Sequence, residues 1–216
     1  MNRIMQIVAF TALLLAWTAA PAHADSFDVS LNTSSLTGLG PQILLFEFID
    51  GDSAVNNSVA LSGFNFNTGA AVGAADYAGT TGVSGDLPSG IAMNDSGGVA
   101  IFDQEFNAGA FLSFELSTSN NFAGLTPDEF SMFVCDLSFN CYSDDTVAGN
   151  LLGLGLTGAT LSPASFTLNG ASAQGLPAPV VTIPGNTTTP EPATMFLLGS
   201  GIALVAAGRK KFKMAS

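Results

Sequence analysis

Almost every side chain in this sequence that could do chemistry is a carboxylate. Residues 25–189 hold sixteen Asp and Glu but no Lys, Arg or His, because His23 is the single histidine and Arg3 the only cation before Arg209. An acyl-transfer centre needs a base of suitable pKa beside a Ser or Cys nucleophile, so most hydrolase mechanisms are excluded from this segment. A glycosidase can work with two carboxylates alone. Asp103 and Glu105 would be candidates, since positions i and i+2 share one strand face at roughly 7 Å. Sixteen acids place some pairs together by chance, so the expectation is a protein that is not an enzyme.

Binding, of a glycan or of Ca2+, is the other use open to such a domain. A glycan would need exposed aromatic platforms, for which Tyr77, Tyr142 and the phenylalanines are what the core offers, and most of the phenylalanines are wanted inside. Hard oxygen ligands with no competing cations suit Ca2+, and Asp50, Asp52, Asp144 and Asp145 lie in turn-like segments that would present them. No stretch has the spacing of an EF-hand or of a nonapeptide calcium repeat, and solvated surface acids are the simpler alternative. No other cofactor is expected. Zinc would need about four Cys, His or acidic ligands, and the core has no histidine. The two cysteines, Cys135 and Cys141, are not spaced as a C-x-x-C redox pair.

The elements that would position these groups read as short strands. Phe27, Val29 and Leu31 alternate on one face, residues 43–49 (ILLFEFI) suit a buried central strand, and Leu112, Phe114 and Leu116 oppose Ser113, Glu115 and Ser117. Residues 59–66 form another strand with Gly63 as a possible bulge, and residues 99–106, 130–137, 151–157, 164–168 and 180–183 continue the series. Residues 67–84, rich in Gly, Ala and Thr, read as a long loop. Thr126, Pro127 and Glu129 form a helix-start pattern good for about one turn. Residues 136–140 make a hairpin loop with Cys135 and Cys141 facing each other at its base, which favours a disulfide if the segment is exported. Nine or ten strands with almost no helix imply an all-β fold, an antiparallel β-sandwich of the jelly-roll kind, over residues 25–183.

The two ends address the destination. Arg3, an apolar stretch over residues 4–20, and small residues at Ala22 and Ala24 form a secretory signal peptide over residues 1–24, cleaved between Ala24 and Asp25. An uncleaved anchor is the alternative. After a polar linker, residues 184–189, come Pro190, Glu191 and Pro192, an uncharged apolar run over residues 193–208, and the basic cluster Arg209, Lys210, Lys211 and Lys213. Sixteen helical residues span roughly 24 Å against about 30 Å of hydrocarbon, and snorkelling lysines cover the shortfall. The expected element is one transmembrane helix with its basic end in the cytoplasm. A buried helix of the soluble domain is the competing reading.

Proline-Glu-proline followed by a short apolar helix and a terminal Arg/Lys cluster closely resembles the PEP-CTERM sorting signal of Gram-negative bacteria. The resemblance covers about one eighth of the chain, residues 190–216; family members often stop within the basic cluster, whereas here the sequence continues from Phe212 through Lys213 to Ser216. It implies passage through the Sec machinery, a transient stay in the inner membrane, and cleavage near the motif by an exosortase. Release to the cell surface or to an exopolysaccharide matrix would come next. The core layout also looks like that of uncharacterised exported proteins with this signal, which implies no molecular activity.

Charge sets the remaining limits. With sixteen acids and no cation, the exported core carries a formal −16, against −12 for the whole chain. Nucleic acid is excluded as a partner because phosphate contacts need cations. Internal salt bridges are impossible, so each carboxylate must be solvated, hydrogen-bonded or bound to a cation.

Overall fold

The structure, a computed structural model, describes residues 24–184. The signal peptide up to His23, the sorting motif Pro190, Glu191 and Pro192, the apolar run and the basic cluster lie outside the described residues. Within them the chain forms twelve strands: β1 (Ala24–Asn32), β2 (Pro41–Ile49), β3 (Ser58–Asn65), β4 (Ala70–Asp76), β5 (Val83–Asp86), β6 (Gly90–Asn94), β7 (Val99–Asn107), β8 (Phe111–Ser119), β9 (Asp128–Cys135), β10 (Leu152–Leu156), β11 (Phe166–Leu168) and β12 (Val180–Thr182). Among the described residues no helix is long and apolar enough to cross a membrane.

The strands form two antiparallel six-stranded sheets, ordered β12-β1-β8-β3-β6-β5 and β11-β10-β9-β2-β7-β4. The pairs β1·β8, β2·β7 and β3·β6 nest inside one another, as a jelly-roll winding requires. One strand departs from that winding: β5 pairs with β6 rather than with β4. Strands β9 to β12 extend both sheets beyond the nested set.

Alternation explains the faces. In β7 every second residue is buried, and Ala100, Phe102, Gln104 and Phe106 point inward. The inward rows of the two sheets meet. Phe46 of β2 lies edge-on to Phe114 of β8 at 5.7 Å, and Phe27 of β1 is edge-on to Phe166 of β11 at 4.9 Å. Since β2 and β11 belong to one sheet and β8 and β1 to the other, these aromatic contacts join the sheets face to face. Phe46 also touches Phe64, Phe102 and Phe130, with ring centroids 5.8–6.1 Å away, and is wholly buried.

Three local expectations are corrected. The helix-start pattern at Thr126, Pro127 and Glu129 makes no helix. β9 begins at Asp128, and its ladder to β2 and β10 takes the backbone donors and acceptors that a helical turn would have used. Tertiary pairing overrides the local cap pattern there. Residues 67–84 are not one long loop but contain β4 and the start of β5. Their Ala- and Gly-rich sequence shows no apolar alternation because β4 is an edge strand that buries little side chain, with a register shift between Val72 and Asp76. The strands number twelve rather than nine or ten, and β4, β5 and β6 are the ones without a counterpart among the stretches named from the sequence.

Two other local readings match the structure. At Gly63, φ is +65° and the β3–β8 register shifts between Ser62 and Asn65, which is the bulge. Cys135 and Cys141 bridge as an isolated antiparallel pair and form a disulfide. The loop between them is held by the Asp136 carboxylate, which accepts from Ser138 N–H and Asn140 N–H at 2.8 and 3.0 Å. Closing so short a loop contributes about 2 kcal/mol in the chain-entropy model. The variant with both cysteines changed to serine should therefore lose about 2 kcal/mol of unfolding free energy and unfold at lower urea; an unchanged midpoint would show that Asp136 alone holds the loop.

Candidate functional site

The segment linking β2 to β3 is where carboxylates converge. Asp50 and Asp52 stand on it, and Asp128, the first residue of β9, points inward beneath it and is 1% exposed. One oxygen from each of the three lies within 4.8 Å of the others. The chain can pass this close to β9 only because residue 51 is glycine. A Cβ there would fall 2.0 Å from the carbonyl oxygen of Pro127.

Hydrogen bonds fix each carboxylate. Asp128 Oδ1 accepts from Gly51 N–H at 2.8 Å and Asp52 N–H at 3.4 Å, while its Oδ2 accepts from Asn57 Nδ2 at 2.7 Å. Asp50 Oδ1 accepts from Ser53 N–H at 2.6 Å. Asp52 accepts from Ala54 N–H and Ala123 N–H, both at 2.8 Å, and from Asn56 Nδ2 at 3.4 Å. Behind the segment, the buried Asp95 accepts from Asn56 N–H and Asn57 N–H at 2.9 and 2.7 Å. Asn57 and Asn121 then tie the segment to the end of β8. Two buried oxygens of this network, Asn56 Oδ1 and Asp95 Oδ1, accept nothing.

Asp144 and Asp145 do not join the convergence. Asp144 accepts from the backbone N–H and hydroxyl of Ser172, and Asp145 from Val147 N–H and Ala148 N–H. Asp144 ties its loop to the turn at Ser172, and Asp145 organises its own loop. Of the four candidate metal ligands, the fold brings together Asp50 and Asp52 and adds Asp128 from 76 positions downstream of Asp52. A reading by spacing misses Asp128 because it falls inside the helix-start pattern. Its parity is the available signal, since Asp128 shares the inward row with Phe130, Met132 and Val134. Asp103 and Glu105 sit on the outward face of β7, opposite Leu45 and Ile43 of β2, and are half-buried.

The same device recurs around the domain. With no side-chain cation to pair with, loop carboxylates are neutralised by backbone N–H groups and amides. Asp52 is held below the usual carboxylate range by the Ala123 and Ala54 N–H groups. Asp86 is lowered by the Ser89 hydroxyl and N–H, and Asp136 by the Asn140 amide and the N–H groups of Asn140 and Ser138. On the outer face of β2 and β7 the sign reverses: burial, then the charge of Glu129, raises Glu47, and burial, then Asp76, raises Asp103.

These shifts define a pH profile. The depressed carboxylates contribute stability that is present above their unfolded value, about 3.9, and is lost as pH falls below it. Ionisation of Glu47 and Asp103 costs the folded state nothing below about pH 4, and increasingly more as pH rises through their raised values. Self-repulsion of the acidic core grows in the same direction. The melting temperature at fixed ionic strength should peak at about pH 4–6; a steady rise from pH 4 to pH 8 would contradict these assignments.

The geometry therefore defines an acidic, all-β, two-sheet domain with one convergent carboxylate cluster. Beyond this domain the chain carries a sorting signal. Residues 188–211 match the family model of the PEP-CTERM protein-sorting motif, a stretch that takes in Pro190, Glu191, Pro192, the apolar run and Arg209 to Lys211. The signal is that of an exosortase substrate, which implies export and processing. No curated protein and no solved structure matches the chain.

Proposed function

We propose that this protein is a non-catalytic, exported component of the cell surface or exopolysaccharide matrix of a Gram-negative bacterium, delivered by Sec and released by an exosortase. The observation that carries the reading is the sorting motif at residues 188–211, placed behind a domain with no side-chain cation. Before cleavage, the apolar run would hold the chain in the inner membrane and the cluster Arg209, Lys210, Lys211 and Lys213 would keep its end in the cytoplasm. After cleavage, the highly charged core stays soluble, and its repulsion is screened by salt. The absence of His, Lys and Arg supports a role without acyl-transfer catalysis. Fractionation tests the destination: the protein should reach the matrix or medium in a host with an exosortase and stay with the membrane in one without. Equal release from both hosts would sink the reading.

The convergence of Asp50, Asp52 and Asp128 favours a second reading, a Ca2+-binding module of that matrix. Three carboxylate oxygens within 4.8 Å of one another repel unless a cation lies among them. Ca2+ at a hundred times its Kd would add about 2.7 kcal/mol by mass action. The melting temperature should then rise with Ca2+ in the parent and not in the D50A/D52A variant. No rise in the parent removes this reading while leaving the first intact.

A further inference from the structure

The first strand begins at the predicted signal cleavage site. Ala24 of β1 pairs with Ser119 of β8, and Asp25 pairs with Thr118. Asp25 shares its parity with Phe27, Val29 and Leu31, all buried, so its side chain stands on the inward row at the end of the sheet. There its Oδ2 is buried and accepts no hydrogen bond. The nearest hydroxyl by register, that of Thr118, donates instead to the carbonyls of Ser58 and Ser119, at 3.1 and 2.7 Å. No side-chain cation exists within residues 24–184 to answer this oxygen. A buried, unmatched carboxylate oxygen is costly, and its cost calls for a partner.

Signal peptide removal would create one. Hydrolysis of the Ala24–Asp25 bond adds water across the amide, leaving a carboxylate on Ala24 and a primary amine on Asp25 that is protonated at neutral pH. That ammonium is on the same residue as the orphaned carboxylate. It would also be the only fixed cation in residues 25–189, where every other ionisable group is acidic, phenolic or sulfur.

We infer that Asp25 is the mature N terminus and that its α-ammonium forms a charge-assisted hydrogen bond with its own side-chain Oδ2, so that export processing supplies the one cation of the folded domain. This rests on the export reading above and adds a structural consequence to it. Cleavage one residue earlier would move the charge by about 3.3 Å along the strand, away from the oxygen, and cleavage one residue later would remove Asp25 itself. The other titratable groups on the strands around it are Asp28 of β1 and Glu115 of β8, both exposed on the outward face. β3, β11 and β12 carry none.

The chain without cations makes the test simple, because a tail-processed protein has a single amine. The full-length gene is expressed in an exosortase-positive host, the released protein is subjected to N-terminal sequencing, and the pH midpoint of amine acylation is measured folded and in urea. Sequencing should begin at Asp25, and the folded midpoint should lie about one pH unit above the unfolded one, an elevation lost in Asp25→Asn. A midpoint rather than a rate is read, because burial alone slows acylation at every pH. A different first residue overturns the inference while export stands. Equal midpoints with Asp25 first overturn the pairing alone. A retained signal peptide overturns both the inference and the export reading.

Discussion

Asp128→Ala should destabilise the domain by on the order of 3–5 kcal/mol, although it removes one negative charge from a chain that has an excess of them. Electrostatic bookkeeping by net charge alone gives the opposite sign. The difference lies in what Asp128 holds: Gly51 N–H, Asp52 N–H and the Asn57 amide all donate to it at the buried foot of the β2–β3 segment. Each donor left without an acceptor costs about 1–3 kcal/mol where water cannot reach. Asp128→Asn keeps one carbonyl acceptor and should lose less. Asp144→Ala, whose bonds to Ser172 are exposed, should stay within about 1 kcal/mol. Urea midpoints at constant slope read all three. If Asp128→Ala were neutral or stabilising, repulsion among Asp50, Asp52 and Asp128 would outweigh the bonds, and a cation-binding site would become the better description of the cluster.

Phe46→Ala should cost about 3–5 kcal/mol, comparable to or above the loss at Asp128. Phe46 is fully buried and meets Phe64, Phe102, Phe114 and Phe130, so its removal opens a cavity that touches both sheets. The ring pairs add a further increment beyond area, and the cross-sheet contact to Phe114 is lost with them. Phe139→Ala, at a loop position 55% exposed, should change stability by about 0.5 kcal/mol or less. A loss at Phe46 no larger than at Phe139 would mean that the two sheets are not packed through this aromatic row.

Legibility in the sequence tracks how local each feature is. β8 can be read directly because Leu112, Phe114 and Leu116 alternate with polar residues across a central, one-side-buried strand. The Gly63 bulge and the disulfide also depend on a few neighbouring residues. The sorting motif is a linear signal and needs no fold at all. β4 is hidden because an edge strand of Ala and Gly buries too little to show a period, and its pairing is made by backbone. The carboxylate cluster is only half visible. Asp50 and Asp52 are two positions apart, but their third member arrives from β9, and its inward parity is obscured by a good helix-start pattern at Thr126 and Pro127. Asp144 and Asp145 resemble ligands by the same turn chemistry that in the structure makes them loop staples.

The intact mass of the protein released by an exosortase-positive host tests the central claim most directly. A chain beginning at Asp25 and ending near Pro190, Glu191 and Pro192, well below the full 21.9 kDa and without Arg209, Lys210, Lys211 and Lys213, is the expected species. A released chain that still carries those four cations would contradict it.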